Sequence, residues 1–390
     1  MSRAVSGDHV LFDECIPMFR PEKIKVYEEG NELYGYLLLD FELTESLHFE
    51  YFIIEPTKKV MLPGAYKAFI SRVKLPKWFE WDHNSHLFTI GLASVISFVS
   101  GRPVKSPRDG YTSRKELDQR TLSELAIQFP ILSAGPGAHD TRLSNESYTK
   151  LKEKLHEILI LLYSVPYELY KTVMQSIRLV QLAQLNKRDD FGLGYYLLVS
   201  AVEPIATEAI KRKKVVSKNQ IKEEWKDIAK KDEEFNDLLE KYQQELSKNR
   251  YIGKRFVEFI MHYCPPAQWF DLKHPHENMT EYVGDLTGQS QDWVTKKQWY
   301  EIYPDDLSDD QIRAILSDVY VHRSKFTHEG KNPPHRHPNS SNRFFEEERI
   351  IEYVKGDHRY KEILLPNFQL ISFIANRSII NYLKEKVEKK

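Results

Sequence analysis

Apolar positions along the chain follow two periods, and the change from one to the other divides it. Between about Lys23 and Pro56 they come in short aromatic and branched runs, KIKVYEE, ELYGYLLLDFEL and HFEYFIIEP. This pattern predicts three strands, with Gly30-Asn31 as a tight turn between the first two. HLFTIGLASVISFVSG, His86 to Gly101, predicts an apolar helix closed by glycine. Residues 1–132 are therefore expected to form an α+β domain. GRPVKSPRDGYTSRKE within it reads as a solvated basic connection, or as a loop that touches phosphate.

SAGPGAHDTRLSNES gathers the turn-forming residue types, so residues 133–147 are expected to be a linker. Beyond it the period becomes helical. Leu151, Leu155, Ile158, Leu159 and Leu162 share one face of a first helix, and Pro166 opens a second running to about Leu185. DDFGLGYYLLVSAVEPIATEAIKRKK predicts a third, capped by Asp189 or Asp190 and kinked or restarted at Pro204. Ile221, Trp225, Ile228, Phe235, Leu239, Tyr242 and Leu246 predict one long helix with a narrow seam in a Lys/Glu background. YIGKRFVEFIMHYCPP should be a helix stopped by Pro265-Pro266, followed by a loop-rich stretch to Pro304. Ser308 with Gln311 forms a capping-box signature, and Ile312, Ile315, Leu316, Val319, Tyr320 and Phe326 make an apolar stripe that ends near Gly330. A final helix follows in PNFQLISFIANRSIINYLKEKVEKK.

Composition narrows the class of protein. Hydrophobic residues make up 41% and charged residues 29%, a globular balance. The 56 Lys+Arg nearly cancel the 57 Asp+Glu, so any nucleic-acid surface has to be a local patch. Cys15 and Cys264 lack the spacing of a disulfide framework or zinc site, the N-terminus lacks a secretory pattern, and the longest apolar runs are short for a bilayer. A cytoplasmic protein with no membrane association and no cofactor is expected. KHPHENM offers His274 and His276 as a metal tract, but two surface histidines without further ligands make a weak one.

In DVYVHRSKFTHEG, Arg323 and His328 are separated by four residues at the end of the striped helix. Spacing alone says little: about two arginine-histidine pairs with four to six intervening residues arise by chance in such a chain. Three occur, Arg3 with His9, Arg255 with His262, and Arg323 with His328. Only the last combines a rigid platform with an accessible end.

YVHRSKFTHEG resembles the Arg-x4-His motif of the HEPN domains (higher eukaryotes and prokaryotes nucleotide-binding), and is most similar to their ApeA-like branch. The upstream helix YYLLVSAVEPI adds to the likeness, with Glu203 inside an apolar run. The resemblance implies a mainly α-helical HEPN-like bundle over 148–390 with a helical insertion at about 213–307. It leaves the N-terminal domain, a sensor or regulator by position, unexplained.

The activity implied is metal-independent endoribonuclease cleavage, plausible for an anti-phage or abortive-infection effector, with RNA as partner and a two-fold homodimer as the active form. A His imidazole can take the proton of a ribose 2′-hydroxyl or give one to the leaving 5′-oxygen, the role of His328. A guanidinium holds phosphate oxygens as charge builds, the role of Arg323. Ser324 stands where the family often has Asn, Asp or His, and Glu203 either orders Arg323 or His328 or reaches solvent. His322, Lys325, His335, Arg336 and His337 are candidates for RNA contact; helix-dipole complementation accounts for the first two equally well, and a Pro-rich loop is the simpler account of the other three. Two other classes compete: a non-catalytic nucleic-acid- or protein-binding HEPN scaffold, and a metal-dependent hydrolase using the scattered histidines.

Overall fold

The computed structural model describes residues 8–27, 32–62, 67–79, 84–108, 111–132, 141–215, 223–248, 251–272, 280–284, 291–295, 301–335, 342–354 and 357–389. A sheet region comes first and a mostly helical region follows. Helix α1 (Asp8–Phe19) precedes strands β1 (Tyr34–Leu39), β2 (Leu47–His48), β3 (Ile53–Met61) and β4 (Lys67–Lys74), then α2 (His86–Ser100), β5 (Val104–Lys105) and α3 (Gln119–Gln128). The strands form one antiparallel sheet in the order β2-β3-β4-β1-β5. Strand β1 shows why both faces are covered: Leu37 and Leu39 enter the main core, while Tyr36 and Leu38 face Leu122 and Leu125 of α3. Among the described residues the expected first strand is absent. Ile24 and Val26 are exposed and outside any ladder, so the alternation of KIKVYEE has no face to bury. Gly30-Asn31 lies outside the described residues.

The helical region comprises α4 (Asn145–Ser164), α5 (Tyr167–Asn186), α6 (Phe191–Ala209), α7 (Arg212–Val215), α8 (Glu223–Ala229), α9 (Glu233–Lys248) and α10 (Ile252–Tyr263). After the hairpin of β6 (Thr280–Gly284) and β7 (Gln291–Thr295) come α11 (Asp309–Glu329), a second hairpin of β8 (Phe345–Val354) and β9 (Asp357–Pro366), and α12 (Phe368–Glu388). Local chemistry sets the ends. Ser308 and Gln311 cap α11 reciprocally, and Gly330 closes it at φ 64°, in the left-handed region. Asp190 caps α6 by accepting from the Leu193 amide at 2.9 Å. Pro204 does not restart that helix: α6 runs through it to Ala209.

The single long seamed helix is corrected to two. Asp232 accepts from the Phe235 amide and starts α9, so α8 and α9 fold back with Trp225 and Tyr242 rings 6.0 Å apart. Within the expected insertion, α10 enters the core: Phe256, Phe259 and Ile260 are buried beside residues of α6 and α12. Arg255, from one of the competing arginine-histidine pairs, donates to the carbonyls of Thr207 and Ile210 and so caps α6.

One hydrophobic cluster runs through α1, the sheet, α2 and helices α4, α5, α6, α10, α11 and α12. Helix α2 is central to it, every residue from Leu87 to Val99 being buried. Ser94 bonds Gln181 of α5, which in turn donates to the Val104 carbonyl of β5 at 2.7 Å. Arg20, just past α1, donates to the carbonyls of Leu162 and Val165 at the end of α4. Among the described residues no helix is long and apolar enough to cross a membrane.

Candidate functional site

Arg323 lies two turns before the end of α11, on the side facing α6. Its side chain is 17% exposed, and Nη2 is 2.6 Å from Oε2 of Glu203, itself 17% exposed. The Nε atom donates to Ser200 Oγ at 3.4 Å, a long contact that orients more than it binds. The guanidinium carbon stands 5.4 Å from the ring centroid of Tyr196 and 5.8 Å from that of Tyr320, within reach of cation-π attraction to both. Glu203 therefore does not reach out to solvent unpaired; it meets the arginine across the α6–α11 contact.

The second oxygen of Glu203 is also used. Tyr320, one turn before Arg323, donates its hydroxyl to Oε1 at 3.1 Å. Burial and the adjacent carboxylate push the Tyr320 phenol up to about 12, so it remains a donor across the physiological range. Its ring lies 5.7 Å from Phe256 of α10. On the other side of the guanidinium, Tyr196 stacks on Phe326 with centroids 5.1 Å apart. Tyr196, Ser200 and Glu203 follow helical spacing on α6, as Tyr320, Arg323 and Phe326 do on α11, so two stripes meet to form the cage.

His328 is exposed in the last turn of α11 and makes no hydrogen bond or ion pair among the described residues. It stands five positions after Arg323, which on an α-helix is about 140° of rotation and about 7.5 Å of rise. The two side chains therefore leave the helix on different sides. Ser324 is half-buried, and its hydroxyl makes no hydrogen bond among the described residues. His322 is also half-buried; burial first, then Lys325 and Lys361, lower its pKa, with Asp318 opposing. Lys325 is exposed beside it.

His335 is turned inward, away from the surface role expected of it. Its ring packs 4.6 Å from Tyr195 and 5.1 Å from Phe191, with Nε2 3.2 Å from the Pro366 carbonyl. Burial lowers its pKa to about 4, so the ring is neutral and its Nε2 tautomer donates to that carbonyl. Phe191 and Tyr195 outweigh the prolines and charges around it in the sequence. Arg336 and His337, like His274 and His276, lie outside the described residues. Among the described residues no group of three His, Cys, Asp or Glu side chains could hold a metal ion.

Tyr196, Ser200, Tyr320 and Phe326 were not singled out as site residues by the sequence pattern. The available signal was the pairing of stripes: a carboxylate and a guanidinium each interrupt an apolar face, and each has aromatics three to seven residues away on that face. Comparison with protein-family models, with curated proteins and with solved structures found no match in any of the three.

Proposed function

We propose that the protein is a HEPN-type endoribonuclease of the ApeA-like kind that cleaves RNA without a metal ion. The observation that supports this most is the state of Arg323. Its guanidinium is fixed by one carboxylate oxygen and two rings, while Nη1 has no hydrogen-bond partner among the described residues. A preorganised cation with a free donor edge suits an oxyanion that gains charge during reaction.

In the reaction, the ribose 2′-oxygen attacks the adjacent phosphorus and the bond from phosphorus to the 5′-oxygen breaks. One imidazole takes the 2′-proton and the 5′-oxygen takes a proton from a second group, leaving a 2′,3′-cyclic phosphate and a 5′-hydroxyl. His328 is the imidazole and Arg323 steadies the phosphate. Because the two leave α11 in different directions, a two-fold homodimer is part of the reading: a second copy supplies a second helix end and a second imidazole. By family resemblance the cellular setting is a cytoplasmic anti-phage or abortive-infection response, with the sheet region sensing or restraining.

A non-catalytic nucleic-acid- or protein-binding scaffold is the second reading, favoured by the ion pair that already engages part of Arg323 and by the unengaged Ser324. The discriminating experiment incubates labelled RNA and DNA of the same sequence in EDTA with the wild type, Arg323→Ala and His328→Ala. RNA cleavage with cyclic phosphate ends, lost in both variants, is expected, with DNA intact. Equal cleavage by all three proteins, or wild-type cleavage abolished by EDTA, refutes the nuclease reading; binding of RNA without cleavage favours the scaffold.

A further inference from the structure

The Arg323–Glu203 pair contains a third member whose purpose the ion pair alone does not explain. A guanidinium beside a carboxylate tends to form two parallel hydrogen bonds, which would engage a whole edge of the arginine. Here Oε2 of Glu203 meets Nη2 of Arg323 at 2.6 Å, while Oε1 is occupied by the Tyr320 hydroxyl at 3.1 Å. Tyr320 and Arg323 are three residues apart on one helix, so they reach the same carboxylate from one face of α11.

The ring of Tyr320 is fixed from a third helix. A Cβ built on Gly253, in the first turn of α10, would lie 2.9 Å from Cδ1 and 3.2 Å from Cε1 of that ring. Glycine there has no left-handed backbone to accommodate, so its value at this position is the close approach it permits. Phe256, three residues further along α10, holds the ring from the same helix at 5.7 Å.

We infer that Tyr320 is a positioning residue that occupies one oxygen of Glu203, keeps the Arg323 pair single-stranded in its hydrogen bonding, and so reserves Nη1 of Arg323 for an anionic phosphodiester; Gly253 sets the ring in place. This rests on Arg323 being the phosphate-holding group. Removing the hydroxyl frees Oε1, and the guanidinium then turns to take both carboxylate oxygens. The arginine remains in the fold but is withdrawn from substrate. Tyr320 itself touches no reacting atom.

The test uses the full chain and two readouts. In the first, residue-resolved modification by phenylglyoxal follows the reactivity of the Arg323 guanidinium without any need for catalysis. Tyr320→Phe and Gly253→Ala are each expected to slow modification of Arg323 by about tenfold, the equivalent of one hydrogen bond to a charged group, and Glu203→Gln to quicken it. In the second, cleavage of RNA by Tyr320→Phe is expected to fall about tenfold in kcat with KM little changed, and Gly253→Ala/Tyr320→Phe to lose no more than either single variant, since both disable one device. Unchanged Arg323 reactivity in Tyr320→Phe overturns the inference, as do losses in the two variants that multiply. If the wild type cleaves no RNA, the nuclease reading falls, and the phenylglyoxal readout still decides whether Tyr320 holds the guanidinium open.

Discussion

Glu346 gives the sharpest quantitative test of the packing. It sits on β8 opposite Leu365, is 4% exposed, and neither carboxyl oxygen has a hydrogen-bond partner among the described residues. Glu348, on the same face two residues on, is equally buried. Burial first, and the Glu348 charge second, push the Glu346 carboxyl up from 4.5 to about 8. The folded protein therefore holds a proton that the unfolded chain gives up at lower pH. With the folded pKa above the unfolded one for an acid, stability falls as pH rises from about 4.5 to about 8 and stays low beyond that. The full gap corresponds to roughly 4–5 kcal/mol; allowing for partial solvation of the ionised form, about 2 kcal/mol is expected at pH 8.5. Glu346→Gln keeps the shape without the titration. Urea midpoints for the variant and wild type, compared at pH 5 and pH 8.5, should nearly coincide at the lower pH and favour the variant by about 2 kcal/mol at the higher. A difference of the same size at both pH values would refute the reasoning.

Three further outcomes follow from single contacts. Glu203→Gln weakens the partner of a mostly buried cation and should cost about 2 kcal/mol in urea, with most of the loss recovered when Arg323→Met is added. Gly330→Ala has open space around the added Cβ yet must hold φ 64°, so a loss of about 1 kcal/mol with unchanged secondary structure by circular dichroism is expected. Asn367, 1% exposed, accepts from the Leu370 amide at 2.8 Å and donates to the Asn342 carbonyl, so Asn367→Ala should cost about 2–3 kcal/mol and lower Tm accordingly.

The parts of the fold that were legible are those whose local signals agree with their burial. Helix α11 carries its cap box, stripe and closing glycine in the sequence, and α2 its apolar run and Gly101. The parts that were not legible bury residues against type. FEEERIIEYV reads as a charged surface segment, yet Glu346 and Glu348 face inward on β8. KAFISRVK carries charge at both ends, and only pairing with β1 and β3 makes it a central strand. In the site, the encounter of Glu203 with Arg323 was one of the two readings left open, because a charge inside an apolar run requires a partner. The role of the tyrosines was hidden, since Tyr196 and Tyr320 look like ordinary core residues until two helices bring them to the same guanidinium.

The burial of α2 bears on how this protein can be taken apart. A helix buried along nearly its whole length is a shared wall between the sheet before it and the bundle after it. Cutting the chain after the sheet region would strip one side of that wall, and the bundle left behind would present an apolar face to water where α2 met α5. The two regions therefore share a packed partner and cannot be assayed as separate pieces with their native surfaces.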